Sequence, residues 1–497
     1  MNQIINRLTK TLCLVLLLSC IQVGTTNAQS RYVATNGSNS KGTGSQALPW
    51  ATITYAIDQV TDGTTIEVAP GTYNGRVTLD QHFQTGVVVR SSVPYQARLR
   101  HNSGAALICF TCQGITVEGF DIAHSANNNG ALVIQIQTSQ ARNVTLRNNI
   151  IHDSTDNDLL KVNNGTRDIT IKGNIFYNQA GSDEHIDINS VENIKVSDNI
   201  FFNSKSQAVT SSYIVVKDSN GNNDGVLGSK NISIRRNIFL NWQGNDGQSF
   251  VRVGEDGTSN FEASDVLIEN NLMLGNSNRL MRSALTIQGS NDIRFQFNTV
   301  VGDLPSRSFA ARLLATGSNK PIDNIVLSNN ICSDPNGSMG GEGFIGADVF
   351  DAPNGDNTSV SLQNNLYYNG GNAIPSDTSQ EVNIGSDTNP ILGNPLLPSL
   401  IGLTLPVYNG SMFGGGFGGG FVNIRSVFVD LANRYGRPAS GSPAINAANM
   451  INVPSDDLLG TARGANAYIG AIDNTSASPP PTPNVNAVLS WLILLLD

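Results

Sequence analysis

Along the middle of the chain, apolar and polar positions alternate in short bursts, each closed by asparagine. Four of them are Val144-Thr-Leu-Arg-Asn-Asn149, Ile169-Thr-Ile-Lys-Gly-Asn174, Ile194-Lys-Val-Ser-Asp-Asn199 and Ile232-Ser-Ile-Arg-Arg-Asn237. Four more are Val266-Leu-Ile-Glu-Asn-Asn271, Ile293-Arg-Phe-Gln-Phe-Asn298, Ile325-Val-Leu-Ser-Asn-Asn330 and Val360-Ser-Leu-Gln-Asn-Asn365. Ile115-Thr-Val-Glu-Gly-Phe120 keeps the alternation without the asparagine. An in–out–in triplet is the period of a strand with one buried face. One strand this short cannot bury that face alone, whereas stacked copies form a continuous core. The asparagines are separated by 25, 25, 38, 34, 27, 32 and 35 residues, so the strand is fixed while the turns vary. The pattern predicts an all-β, single-stranded right-handed parallel β-helix with the eight asparagines aligned at one corner. Asparagine suits a corner because it tolerates left-handed backbone and its side chain reaches the next coil. Helical solenoids are excluded by triplets too short and too β-branched for helices.

The strand before each triplet has its own alternation. Gln135, Lys161, Asp187, Lys217, Arg252 and Thr286 each adjoin inward apolar residues and are expected to form one outward column. Neighbours in such a column are about 4.8 Å apart. Beside it, Asp156, Asn157 and Asp158 fall on one coil and Asp183, Glu184 and Asp187 on the next, with Asp158 aligned to Glu184. So many oxygens converging from two coils suit calcium, which takes six to eight of them. Without a cation the carboxylates would repel and raise one another's pKa values. Asp158, Asp183, Glu184 and Asp187 are therefore the expected Ca2+ ligands, with Asp156 in reserve. Lys161 is read as a counter-ion to Asp187, His152 and His185 as neighbours of this surface, and His185, Tyr213 and Trp242 as possible sugar contacts.

The chain has 497 residues, 39% hydrophobic and 14% charged, with a formal net charge of −9. Arg7 and Lys10 precede an apolar run at 12–23 and a small-residue site ending at Ala28, the pattern of an export signal. Removal of that leader, which has no acid, takes the net charge from −9 to −11. The expected location is secreted or on the cell surface, with lipidation at Cys20 as the alternative. An anionic surface argues against nucleic acid as a partner, and a monomer is expected. Cys109 and Cys112 support at most one bridge, and with Cys332 they are expected to be small buried residues. The organisation read from the chain is a leader at 1–28, a β-helix over 29–400, a C-terminal module over 401–475, and a tail at 476–497. That tail holds a proline-rich linker and a 12-residue apolar run, too short to span a bilayer as a helix. It offers a means of cell-surface attachment. A glycine-rich stretch at 413–421 reads as a surface loop.

Several stretches resemble known families. Tyr32-Val-Ala-Thr-Asn-Gly-Ser, Pro49-Trp-Ala-Thr-Ile and Ile66-Glu-Val-Ala-Pro-Gly-Thr-Tyr73 resemble the opening of secreted β-helix carbohydrate-active proteins of the pectate-lyase-like superfamily. There, a short helix caps the first coil; here it is expected at about residues 50–60. Gly441-Ser-Pro-Ala-Ile-Asn446, Asp456-Asp-Leu-Leu-Gly460 and Tyr468-Ile-Gly-Ala471 resemble a small module found before surface anchors. Asp183, Glu184 and Asp187 are similar in spacing to the calcium-binding acids of family-nine polysaccharide lyases, with Asp158 as the acid one coil earlier. Glu184 stands where that family has aspartate, and the interval to Lys217 differs from the family's. The resemblance implies calcium-dependent β-elimination on an acidic polysaccharide, with Lys217 as the base and Arg252 holding the uronate carboxylate. The alternatives are a glycoside hydrolase on the same fold, whose Asn-Thr-Asp and Gly-His-Gly signatures are absent, and a non-catalytic surface adhesin.

Overall fold

The alternating triplets fold as strands because only stacking removes their apolar residues from water. In the computed structural model, Val144 lies over Ile169 and Leu146 over Ile171, and the same parallel register continues through Ile194 and Val196 to Ile232 and Ile234. These side chains are buried, while Thr145, Thr170 and Lys195 between them point outward. The structure describes residues 29–473 except 126–131, 182, 206–209, 241–248, 276–280, 303, 305–307, 341–347 and 414–419. The expected leader, the tail at 476–497, most of the glycine-rich stretch and Trp242 lie outside the described residues.

Among the described residues the strands form three sheets, of 13, 12 and 10 strands, and a central coil gives one strand to each. One coil runs Arg142–Arg147 in the first sheet, Ile150–His152 in the second and Leu160–Asn163 in the third. The chain then returns to the first sheet at Arg167–Lys172, paired in parallel with Arg142–Arg147. The result is a right-handed parallel β-helix. Its interior includes a stack of Phe176, Phe201 and Phe239 with ring centres 5.1 and 5.0 Å apart. The last paired strands are Asp387–Thr388 and Ile391–Leu392.

The eight asparagines do share one corner. Asn149 Nδ2 donates to Asn174 Oδ1 at 3.1 Å, Asn174 to Asn199 at 3.0 Å, and Asn199 to Asn237 at 3.0 Å. The chain of bonds continues through Asn271, Asn298 and Asn330 to Asn365, which donates to Asp387 Oδ2 at 2.8 Å. Each Oδ1 also accepts the backbone N–H of the asparagine before it, and Phe120 N–H begins the series on Asn149. The backbone strain was expected at the asparagine itself and lies one residue earlier. Asn148, Asp198, Arg236, Asn270, Phe297, Asn329 and Asn364 take φ of 53–57°, and Gly173 68°. The corner turns on that residue, which leaves the ladder asparagine free to aim its amide along the stack.

Helix α1, Ile53–Gln59, is shorter than expected, starts at the cap Thr52 and buries Ile53, Ala56 and Ile57. Helix α2, Ile424–Tyr435, belongs to a C-terminal segment that folds back over the second sheet. Ile150, Ile175, Ile200, Ile238 and Leu272 on that sheet's outer side pack with Val427, Phe428, Leu431, Leu458 and Ile472. The runs Ile175–Tyr177, Ile200–Phe202 and Leu272–Leu274 are apolar throughout because both of their faces are covered. Arg235 and Arg236 clamp this segment through a shared partner, Asp456. The expectation that the cysteines serve only as small buried residues is corrected: Cys109 and Cys112 form a disulfide with Cα atoms 5.3 Å apart. Cys332 is free and buried, and burial pushes its thiol up to about 12. Among the described residues no helix is long and apolar enough to cross a membrane.

Candidate functional site

The third sheet presents its outward residues in columns, two per strand. One column runs Gln135, Lys161, Asp187, Val215, Arg252 and Thr286. Lys217 was expected in it and is not there. In the strand Ile214–Lys217, Ile214 and Val216 face inward, so Val215 takes the expected place and Lys217 falls two residues along, opposite Asn189. An apolar residue facing outward hid the register. The long lysine side chain reaches back nonetheless: its Nζ lies 4.0 Å from Asp187 Oδ2 and 2.5 Å from Glu255 Oε2.

Asp158, Glu184 and Asp187 come together, offering carboxylate oxygens within 4.8 Å of one another, and all three are buried. Asp158 stands beside Glu184 as aligned, its Oδ1 accepting the Glu184 N–H at 2.9 Å. Asp183 is half-buried and outside that converging group. Lys161 bonds Asp187 Oδ2 as its counter-ion and lies 3.8 Å from Asp158. The other Asp187 oxygen, Oδ1, is buried with no hydrogen-bond partner among the described residues. A buried unpartnered carboxylate oxygen is costly.

Burial first, and then the charge of Asp187, push the Asp158 carboxyl up to about 7. Burial, with Asp158 and Asp187 beside it, raises Glu184 well above the usual carboxylate range. Burial also raises Asp183. For Lys217, burial alone would lower the pKa, but Asp187, Glu255 and Glu184 outweigh it and hold the ammonium charged above its ordinary value. A base role calls for a depressed pKa; the free protein holds this lysine in the opposite state. Lys161 is raised in the same way by Asp187 and Asp158 against burial.

Sequence reasoning missed Glu255. Its Oε1 accepts from Arg252 Nη1 at 2.8 Å while Oε2 takes Lys217, and the two cations hold it below its usual pKa against burial. The signal was present in the three-residue spacing from Arg252 to Glu255. His185 does not face a sugar site: it is fully buried, bonds Asn203 Oδ1 through Nε2 at 3.0 Å, and burial pushes it down to about 3. Tyr213 is likewise core, its hydroxyl donating to the Leu240 carbonyl at 3.1 Å. His152 sits on the second sheet between Asp121 and Asp153, at 2.8 and 2.9 Å.

A family described as a protein of unknown function (DUF1565) matches residues 35–83. No curated protein matches the chain. Among solved structures the chain is similar to XylC in complex with xylose, with a TM-score of 0.51 at 11% identity over 90% of this chain and 98% of that one. It is also similar to pectate lyase Pel9A, with a TM-score of 0.48 at 13% identity over 91% and 98%. An alginate lyase from Paenibacillus sp. str. FPU-7 gives 0.37 at 18% identity over 55% and 94%. The likeness to XylC shows the solenoid fold.

Proposed function

We propose that the protein is a calcium-dependent lyase that cleaves a uronate-containing polysaccharide, pectate-like or alginate-like, by β-elimination. The observation that carries this reading is the meeting of Asp158, Glu184 and Asp187 within 4.8 Å, beside the cations Lys161 and Lys217, with Arg252 joined to Lys217 through Glu255. The donor set suits calcium: three carboxylates supply hard oxygens, and the unpartnered Asp187 Oδ1 is a ligand atom without another use. Bound there, calcium would neutralise the substrate's C6 carboxylate and stabilise the charge left when the C5 proton departs. Lys217 is assigned to take that proton at Nζ, and Arg252 to hold the carboxylate through its planar guanidinium. Because the surrounding carboxylates keep Lys217 charged in the free protein, the reading requires those carboxylates to be engaged elsewhere when substrate is bound. Asp183, outside the three-carboxylate group, stays at the rim of the site.

The test is to incubate purified protein with pectate and with alginate, with calcium and with a chelator. Elimination creates an unsaturated uronate that absorbs in the near ultraviolet, and the absorbance should rise only with calcium. Turnover indifferent to chelator would remove calcium from the account. One observation favours a second reading, glycoside hydrolysis: Asp158 holds its proton to about 7 beside the Asp187 carboxylate, an acid-and-carboxylate pairing. New reducing ends without near-ultraviolet absorbance would select it.

A further inference from the structure

Glu255 lies two residues beyond the strand Ser249–Val253, in the turn Gly254-Glu255-Asp256-Gly257. Its carboxylate is divided between two cations, one oxygen on Lys217 Nζ at 2.5 Å and the other on Arg252 Nη1 at 2.8 Å. The backbone beneath it is fixed. Glu262, fully buried, accepts the N–H groups of Glu255, Asp256 and Gly257 at 2.7, 2.9 and 2.8 Å. Gln288 donates to the Glu255 carbonyl at 3.0 Å and accepts from Arg252 Nη2 at 3.1 Å. Gly254 has φ of +84°, and a Cβ there would meet the Gln288 carbonyl at 1.7 Å, so only glycine fits the turn. The side chain alone is left to rotate.

A carboxylate with one oxygen on an ammonium and one on a guanidinium occupies the place through which an acidic sugar would reach Arg252, with its C5 proton toward the Lys217 Nζ. We propose that Glu255 is a built-in stand-in for the substrate carboxylate. It fills the anion position in the free protein, and an incoming uronate must turn it aside before reaching both cations. The inference rests on the uronate reading only in naming the ligand. Affinity for acidic sugar is thereby set below what the cation pair alone would give, and turning Glu255 away removes the nearest partner of Lys217 Nζ at the moment substrate arrives.

The test uses the full chain in chelator, where there is no turnover, as wild type, Glu255→Gln and Glu255→Asp. Calorimetry with trigalacturonate and trimannuronate reads the ligand, and the thermal shift produced by sulfate reads the anion position whatever the sugar. Glu255→Gln keeps the shape and loses the competing charge, so the trimer it accepts should bind at least about tenfold tighter, the scale of one charge-assisted hydrogen bond. Glu255→Asp, too short to span both cations, should fall between, and it carries the test if the glutamine variant does not fold. Sulfate should stabilise both variants more than wild type. Equal or weaker binding of every anion by both variants would overturn the proposal and make Glu255 a prop for Lys217, even if calcium-dependent elimination were seen. A larger sulfate shift in the variants, with neither trimer bound by any of the proteins in chelator nor turned over by wild type in calcium, would uphold the stand-in and sink the uronate reading.

Discussion

The asparagine corner and the acidic face are two buried polar columns built on the same coils, and they are satisfied in opposite ways. At the corner each asparagine donates to the next side chain and to a backbone carbonyl, and each after Asn149 accepts a side-chain and a backbone N–H. The amides are all used, and their chain is of the kind that polarises cooperatively. A buried carboxyl group enters at the far end, where Asp387 accepts from Asn365 and Tyr367 and leaves its other oxygen without a partner among the described residues. On the third sheet Asp158, Glu184 and Asp187 are as deeply buried, yet they repel one another, and one oxygen of Asp187 has no partner among the described residues. A solenoid offers a column at every outward and corner position. It becomes a support where each member completes the next, and a site where the members leave valences open for something else.

The largest expected effect is on turnover. Lys217→Arg keeps the charge and the reach but supplies no usable base. Binding of trigalacturonate should stay near wild type while the elimination rate falls at least about 100-fold, the lower end for loss of a general base. A variant that keeps its rate would move the base elsewhere or end the lyase reading.

The next effect is on stability, and it is opposite in the two columns. Asn237→Ala strips partners from the Asn199 N–H and Nδ2 and from the Val196 carbonyl. We expect a loss of about 3 kcal/mol, the scale of several buried groups left unpaired. Glu184→Gln removes one of three crowded carboxylates and should be neutral or stabilising by about 1 kcal/mol in calcium-free protein. Denaturant melts of the two variants make the comparison. If Glu184→Gln costs as much as Asn237→Ala, the acidic column is structural too.

A third effect is the pH dependence. The folded-state pKa of Asp158 is raised to about 7 from 3.8, so between these values the folded protein binds more protons than the unfolded chain. Stability from this group is full below about pH 4 and is lost as pH rises through 7, by a few kcal/mol at most. Chelated wild type should therefore melt lower at pH 7.5 than at pH 5, and Asp158→Asn should flatten that slope. An unchanged slope in the variant would assign the dependence to other groups.

The corner was legible in the sequence because one residue type recurs at a fixed place after a fixed triplet, and chemistry and period agree. The pairing of Asp158 with Glu184 was legible for the same reason, since the adjacent strands Leu160–Asn163 and Ile186–Asn189 keep strict alternation. Lys217 was misplaced because Val215, an apolar residue, occupies an outward position and mimics an inward one. Glu255 escaped because it sits in a glycine turn beyond the strand, where the period of two no longer applies. The double burial of Ile175–Tyr177 and its neighbours depends on a segment more than 150 residues away, which no local pattern contains.

The most direct measurement is a calorimetric calcium titration of chelator-treated wild type and Asp187→Asn near pH 6, run in two buffers of different ionisation heat. The account predicts one calcium bound by wild type with a proton released from Asp158, so that the apparent heat differs between buffers. It predicts that this site is lost in the variant. Calcium binding unchanged by Asp187→Asn, or no binding by wild type at millimolar calcium, would contradict it.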